Sequence, residues 1–323
     1  MMRVETAYPS EGPPRKVHGM GWIRDLPDAR DYSPFHPEVR PLMEQMGLLK
    51  PGDSAADIRY LQTGAAPDHL SALPYPAVMD LAPGCSPIED QDGLGSCATF
   101  ATIGLVEYME KIAFGNYLNA SHLFQYWNAR KLIGVTGDGG STMSSNMAAL
   151  VLFGVPPEVH WPYYVPNFNV QPDAFLYAYA SDFKGVKYLR IDKPGTGPGD
   201  ILPWVKAFLY AKIPLMFGWT VYSEIDQAAT TGKVPFPDLK TSKIRGGHGV
   251  DCVGCDDNMV IKNTATGKVT TGAIKFRNSW GPKWGQAGYG FLPYDYLNAG
   301  LTADWWVLQG QAYVDTGQFG VKT

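Results

Sequence analysis

The sequence predicts an α+β protein in which a helical lobe is followed by a β-rich lobe, with a cleft where the two meet. Two patterns support this. Between residues 99 and 154, apolar residues recur mainly at helical spacing. Beyond about residue 180, short β-branched or aromatic segments are bounded by Gly, Pro and Asp. We place an N-terminal extension at 1–72, the helical lobe at 73–180 and the β-rich lobe at 181–323.

Three helices are predicted in the helical lobe. The first spans residues 99–115, where a glycine ends an amphipathic run. The second is SHLFQYWNARKLIG, with Ser121 as its N-cap, and the third follows the glycine turn in DGGSTMSSNMAALVLFG. In the β-rich lobe, GDILPWVKAFLYAK predicts one helix among the strand-like segments FKGVKYLRI, PLMFGWTV, HGVDCVGCD, AIKFRNSW and YGFLPYDY. The extension is rich in proline and contains one short predicted helix, PEVRPLMEQMGLL.

Composition excludes several classes of protein. The 323 residues are 45% hydrophobic and 18% charged, which is typical of a globular chain. The net charge of −4 and the lack of a basic block argue against nucleic acid as a partner. We find no Sec-type signal peptide and no apolar run long enough for a membrane span. We therefore expect a cytoplasmic protein by default, with secretion without a signal left open.

One cysteine has the surroundings of a reactive thiol. Cys97 lies in DQDGLGSCATFA, where a glycine-rich turn opens onto the first predicted helix. A helix N-terminus favours negative charge and so favours the thiolate over the thiol. A buried structural thiol has no need of such a position. The sequence therefore predicts a nucleophilic cysteine.

A nucleophilic thiol needs a base and a group that orients the base. Of the six histidines, only His248 lies in a glycine-flanked turn that leads into a strand, RGGHGVDCVG. Asn278, in FRNSWGPKWGQAGYG, is a candidate for the orienting group, with two tryptophans nearby to exclude water. The order Cys, His, Asn is that of a Cys-His-Asn peptidase.

These segments resemble the three active-site blocks of the papain-like cysteine peptidases, in a bacterial-type branch with an N-terminal extension. The resemblance covers residues from about 73 to about 300. It implies a papain-like two-lobed fold with a barrel-like β-rich lobe, in which Cys97 is the nucleophile, His248 the general base and Asn278 its orienting residue. It further implies that Gln91 joins the Cys97 N–H in an oxyanion hole and that Trp280 covers the His–Asn pair.

The resemblance also implies where a polypeptide substrate binds. Extended substrate would pair with the backbone of Gly139 and Gly140. Ser141, Thr142, Gly218 and Gly247 are further candidates for lining the substrate cleft. No metal or cofactor is expected, because Cys252 and Cys255 form a lone C-x-x-C without a second pair of ligands. Whether Cys85, Cys252 or Cys255 pair stays open.

The sequence departs from the family pattern at two positions near the thiol. Leu94 stands where the family commonly has a cysteine that pairs near the glycine doublet, which implies that this disulfide is absent. Ala98 replaces the tryptophan that usually follows the nucleophile, so the site is expected to be less covered.

Several alternatives stay open at this stage. A transpeptidase or ligase would share every catalytic residue, and activity on one specific host protein would differ in substrate rather than in chemistry. A non-catalytic cleft-binding protein is the third alternative, and the intact set of four residues argues against it. The extension is either a cleft-covering pro-segment, which would make the protein a zymogen, or a permanent structural belt. We favour the first, because Pro13–Pro14 and GMGW suit an extended chain lying in a groove. The natural substrate and the oligomeric state are not predicted.

Overall fold

The computed structural model describes residues 18–26, 28, 31–193 and 196–311, and Pro13–Pro14 lie outside this range. The α-helices are α1 (Arg40–Gln45), α2 (Ser54–Thr63), α3 (Asp68–Ser71), α4 (Cys97–Phe114), α5 (His122–Leu132), α6 (Met143–Phe153), α7 (Ala174–Ala180), α8 (Ile201–Tyr210) and α9 (Tyr294–Asn298). The strands are β1 (Val78–Asp80), β2 (Gly185–Arg190), β3 (Leu215–Tyr222), β4 (Ile244–Lys262), β5 (Val269–Arg277), β6 (Tyr289–Pro293) and β7 (Thr302–Gln311). Among these helices, none combines the length and the apolar character that crossing a bilayer requires.

The three helices predicted for the helical lobe are confirmed as α4, α5 and α6. Gly115 ends α4 in the left-handed conformation, with φ of 75°. Ser121 caps α5 by accepting a hydrogen bond from the Phe124 N–H, and Thr142 and Ser145 form a capping box at the start of α6. The short helix α7, whose AFLYAYA segment lacks a clear stop signal, was missed by the sequence reasoning.

The strands form one antiparallel sheet in the order β2-β7-β3-β4-β5-β6, with β1 paired to β4. All five predicted strand segments are found, while β1 and β7 were not predicted. The α+β fold and the β-sheet of the second lobe are confirmed, and the sheet is open rather than closed into a barrel. Strand β4 has 19 residues, and its two ends pair with different neighbours.

The extension divides into two parts with different packing. Residues 18–26 run between the lobes, as described below. The helices α1–α3, in contrast, join the main hydrophobic core, where Val39, Met43 and Leu70 are buried in the same cluster as Trp204 and Phe208 of α8. The helical part of the extension is therefore an integral layer of the β-rich lobe rather than a loose cover.

Buried charged side chains fix the position of α4 against the sheet. At Gly104, in the middle of α4, a Cβ would overlap the Asp251 carboxylate and come 2.6 Å from the Arg277 guanidinium. Asp251 and Arg277 are register partners on β4 and β5. Arg277 also donates to the Ser86 hydroxyl (2.9 Å), which in turn donates to Glu107 on α4 (2.5 Å). This close approach sets the position of the Cys97 helix relative to the strand that carries His248.

Candidate active site

The fold buries Cys97 at the interface between the lobes. Cys97 is the first residue of α4 and is 0% exposed. Its Sγ accepts a hydrogen bond from the backbone N–H of Gly249 on β4, at 3.3 Å. The residue before Gly249 is His248, so β4 of the opposite lobe carries both the N–H that binds the sulfur and the candidate base.

His248 is held in one tautomer by Asn278. The imidazole Nε2 lies 2.8 Å from Asn278 Oδ1. The same oxygen accepts the Ser279 backbone N–H at 2.8 Å, which fixes the orientation of the amide. Because a carbonyl oxygen only accepts, Nε2 carries the proton and Nδ1 has the lone pair. Nδ1 is buried and has no hydrogen-bond partner among the described residues, so no other described group uses this lone pair.

Trp280 shields the His–Asn pair. Its ring stacks on the His248 imidazole with 4.6 Å between ring centroids and 30° between planes. The His18 ring also stacks on the indole, with 5.2 Å between ring centroids. Trp280 is 6% exposed, so the hydrogen bond between His248 and Asn278 is shielded from water.

Gln91 lies with its amide directed along the cleft. Its Oε1 accepts the Ser279 hydroxyl at 2.5 Å. This leaves the Nε2 hydrogens as donors, and they bind the carbonyl oxygens of Leu94 (2.7 Å) and Gly19 (2.8 Å). The candidate oxyanion donor is therefore already used by a carbonyl of the N-terminal extension.

The extension crosses the cleft as an extended segment next to the thiol. Ser141 N–H donates to the Gly21 carbonyl at 2.9 Å, and Ile23 N–H donates to the Ser141 carbonyl at 3.0 Å. Trp22 N–H donates to the Gly247 carbonyl at 3.2 Å. The segment thus pairs with both walls, and it runs parallel to the chain at Ser141.

Glycines on both sides make this close approach feasible. A Cβ on Gly21 would overlap the carbonyl group of Gly95. A Cβ on Gly140 would overlap the carbonyl of Gly21, and Gly140 also has φ of +84°, which favours glycine. At Gly218 and Gly247, a Cβ would meet the indole of Trp22.

The predicted site residues are not all brought together. A Cβ at Gly139 would meet the Val135 side chain, and the backbone hydrogen bonds of this loop to the extension are made by Ser141. Thr142 caps α6. Substrate binding by Gly139 and Thr142 stays a prediction that these contacts do not support.

Burial disfavours both charges of a thiolate–imidazolium pair in this covered state. Burial raises the pKa of the Cys97 thiol, against the N–H groups of Gly249, Gly21 and Trp22, which lower it. Burial also lowers the pKa of His248 to about 4, although the hydrogen bond to Asn278 favours the charged ring. With the segment in place, thiol and imidazole are therefore neutral at pH 7.

Sequence reasoning missed the residues that hold the two loops of the cleft together. Asp138 Oδ1 accepts from the Gly95 N–H (2.9 Å) and from the Tyr126 hydroxyl (2.6 Å). The Tyr126 oxygen also accepts the Gly140 N–H at 3.2 Å. These contacts join the loop before Cys97 to the glycine loop, where the sequence lacks the family disulfide. The carboxylate beside the glycine pair in TGDGG was the signal that could have pointed to this clamp.

Tyr163 is a second residue that sequence reasoning did not select, since no local signal marks it. Its hydroxyl donates to the Gln91 carbonyl at 2.7 Å and lies 2.9 Å from the Ser96 hydroxyl. It thereby fixes both ends of the loop that leads into α4.

The four cysteines are buried and form no disulfide. Within the described part of the chain, no group of three or more His, Cys, Asp or Glu side chains is arranged to hold a metal ion. Cys252 and Cys255 lie on β4, and Cys255 is the register partner of Met79 on β1. They take part in core packing.

Comparison with known proteins relates the chain to one family. Residues 75–300 match the model of the papain family of cysteine proteases. The chain is 31% identical over 301 residues to an uncharacterized peptidase C1-like protein of Acanthamoeba polyphaga mimivirus, covering 90% of this chain and 86% of the relative.

Solved structures show the same fold. Xylellain, a cysteine protease from Xylella fastidiosa, is 28% identical with a TM-score of 0.68, covering 93% of this chain and 99% of its own. Procathepsin L 3 of Tenebrio molitor, at 22% identity and a TM-score of 0.55, covers 76% of this chain and 73% of its own, and shows the fold alone. The family match, the relative and the two-lobed α+β architecture lead to one conclusion: the chain belongs to the papain family of cysteine proteases and is a hydrolase.

Proposed function

We propose that the protein is an endopeptidase with a Cys97–His248–Asn278 triad, made as a zymogen whose cleft is closed by its own residues 18–25. The observation that carries the proposal is the fixed tautomer of His248, with Nδ1 unpaired in the cleft that holds the Cys97 thiol.

The reaction follows from this geometry. His248 Nδ1 takes the Cys97 proton, and the sulfur attacks the scissile carbonyl carbon to form a C–S bond. Gln91 Nε2 and the Cys97 N–H stabilise the negative oxygen, a contribution worth about 2.7–4 kcal/mol for one such donor in related acyl transfers. The C–N bond then breaks, and His248 gives the proton to the leaving amine.

The second half-reaction returns the enzyme to its starting state. Water attacks the thioester carbon while His248 takes its proton. The C–S bond breaks, the new carboxylic acid leaves, and the proton returns to sulfur. Asn278 keeps Nε2 as the donor throughout, so that Nδ1 remains the atom that exchanges protons with sulfur and water.

The position of the extension explains why it would inhibit without being cut. The carbonyl that binds Gln91 Nε2 belongs to Gly19. The backbone groups of the segment that lower the pKa of the Cys97 thiol belong instead to Gly21 and Trp22. The peptide group that binds the oxyanion donor Gln91 is therefore not the peptide group beside Cys97. Attack of the sulfur on a carbonyl carbon of this segment is disfavoured for that reason.

We place the end of the removable part near Leu26. Leu26 is 92% exposed, whereas Val39, Met43 and Leu70 of the same extension are buried in the main core. Proteolysis favours exposed chain that carries few contacts. Both interpretations of the extension then apply to different parts of it, a removable cover up to about residue 26 and a permanent belt over 31–72.

Labelling with a peptidyl epoxide, read by intact mass, tests the proposal. The full-length protein, the Cys97→Ala variant and a Cys85→Ala variant are compared before and after limited proteolysis. We expect loss of an N-terminal fragment that ends near residue 26, followed by gain of one inhibitor mass. Cys97→Ala should gain none, while Cys85→Ala should behave as the wild type, because Cys85 is buried in the main hydrophobic core.

Two outcomes contradict separate parts of the proposal. Full labelling of the unprocessed protein at the rate of the processed form means that the segment does not inhibit. Absence of labelling and of peptide hydrolysis after processing means that the cleft is not catalytic.

A further inference from the structure

The segment that crosses the cleft inserts one large side chain into a pocket. The indole of Trp22 lies against Gly218 and Gly247, where any Cβ would meet the ring. It also packs on the apolar cluster that includes Met143 and Met216. The two glycines create a slot with apolar walls beside Ser141, whose backbone binds the segment.

The end of this pocket is a buried carboxylate. Trp22 Nε1 donates to Asp304 Oδ2 at 2.9 Å, and the Asp25 N–H donates to the same oxygen at 2.7 Å. Both donors belong to the segment over the cleft. Asp304 itself is 0% exposed and belongs to β7.

Asp304 is also held in place by residues outside the segment that crosses the cleft. Arg190 Nη2 donates to Asp304 Oδ1 at 2.7 Å, and Asp192 accepts the Asp304 N–H at 2.7 Å. Asp304 has φ of +58°, a left-handed conformation that a residue other than glycine keeps only when its surroundings impose it. Departure of the segment therefore leaves Oδ2 fixed at the end of the pocket without its two donors.

The charges around the pocket sum to a negative value when the carboxylates are ionised. Arg190 is 3.8 Å from Asp31 and 3.1 Å from Asp192, and it also binds Asp304. One guanidinium thus serves three carboxylates in this cluster. A positive group, or at least a hydrogen-bond donor, that enters the pocket is favoured over a neutral apolar group.

We propose that Asp304 selects substrates whose side chain in the Trp22 pocket ends in an N–H donor, namely arginine, lysine or tryptophan. The inference rests on the proposed function, since the pocket can select a substrate side chain only if the protein hydrolyses peptides in this cleft. Leucine or phenylalanine fills the apolar walls but leaves Oδ2 buried without a donor. A site built to bind a donor discriminates strongly against analogues that lack it.

The first test uses the full-length protein and does not depend on activity. Hydrogen exchange of the amides at residues 18–25 is compared for wild type, Trp22→Phe, Trp22→Arg and a control, Met20→Leu. Trp22→Phe should speed exchange about 10–100-fold, because it removes a hydrogen bond to a buried carboxyl group. Trp22→Arg should stay within a few-fold of wild type, and so should Met20→Leu. Equal exchange in Trp22→Phe and wild type overturns the inference.

The second test uses the processed enzyme and peptides that differ only at the residue in this pocket. We expect kcat/KM to be at least about 10-fold higher with arginine, lysine or tryptophan than with leucine or phenylalanine. Asp304→Asn should remove most of the advantage of arginine and lysine. Hydrolysis of all peptides at similar rates overturns the inference but keeps the proposed function. If no peptide is cut, the proposed function fails, and the exchange experiment still decides whether Asp304 recognises the donor.

Discussion

Replacing Gly21 by alanine should open the cleft without changing the candidate catalytic residues. The added Cβ has no space, because it would overlap the carbonyl carbon and oxygen of Gly95. Gly95 belongs to the loop that leads into α4 and is held by Asp138 at 2.9 Å, so this loop resists displacement. The segment, which has an exposed end at Leu26, is expected to move instead.

The size of the effect follows from the hydrogen bonds that the segment loses. Three backbone hydrogen bonds surround Gly21, from Ser141 N–H (2.9 Å), Trp22 N–H (3.2 Å) and Ile23 N–H (3.0 Å). At roughly 0.5–1.5 kcal/mol each, their loss destabilises the closed state by about 1.5–4.5 kcal/mol. Since every 1.4 kcal/mol is a factor of ten, the open population should rise by about 10–1,000-fold.

The assay is the second-order rate of epoxide labelling of unprocessed protein, followed by intact mass. Labelling requires the open state, so its rate scales with the open population. Gly199→Ala is the matched control, because a Cβ there has no atom within 4 Å and its φ is not in the left-handed region. The reasoning is refuted if Gly21→Ala is folded, as judged by thermal unfolding and circular dichroism, yet is labelled at the wild-type rate.

Three further predictions concern the processed enzyme or the fold. Gln91→Ala should lower kcat about 100–1,000-fold with little change in KM in steady-state assays. A rise in KM as large as the fall in kcat would contradict an oxyanion role for Gln91. Asp138→Ala should reduce the free energy of unfolding by about 1 kcal/mol in urea titrations and lower kcat/KM, because the Gly95 N–H loses its acceptor. Burial opposes the charge on His122, but Glu89 and Glu158 raise its pKa to about 10. His122→Gln should therefore lower the free energy of unfolding by about 3–5 kcal/mol at pH 6, and this difference from wild type should shrink as the pH rises toward 10. Equal stability of variant and wild type at pH 6 would mean that the ion pairs of His122 with the two glutamates do not stabilise the fold.

The pH direction for His122 follows from its raised pKa. The folded state holds the proton more tightly than the unfolded chain, so this contribution is complete below the ordinary histidine pKa of about 6.5. It is lost as pH rises through about 10. The His122→Gln variant lacks the titrating imidazole. Subtracting its free energy of unfolding from that of the wild type at each pH therefore isolates the contribution of His122 from that of other groups.

Local sequence was sufficient for the helices of the first lobe and for the identity of the candidate catalytic residues. Gly115 ends its helix in the left-handed backbone conformation, and Ser121 and Thr142 begin theirs by accepting backbone N–H groups, all within one turn of the helix end. Cys97 and His248 could be selected because glycine-rich turns and helix starts are local features too. The long β4 strand was only partly predicted, because its charged end is stabilised by pairing with β5 rather than by its own composition.

Only the tertiary structure decided what surrounds the thiol. That Gly19 binds Gln91, that Trp22 reaches Asp304 and that Asp138 binds Gly95 are contacts between residues separated by 72, 282 and 43 positions. Such contacts depend on strand register and on how α4 packs on the sheet, and one residue of slip would turn each side chain to the other face. The sequence by itself thus determined the candidate reactive groups and the family, because these follow from short blocks. The closed cleft and the carboxylate at the end of its pocket arise from distant segments that meet only when the two lobes pack together.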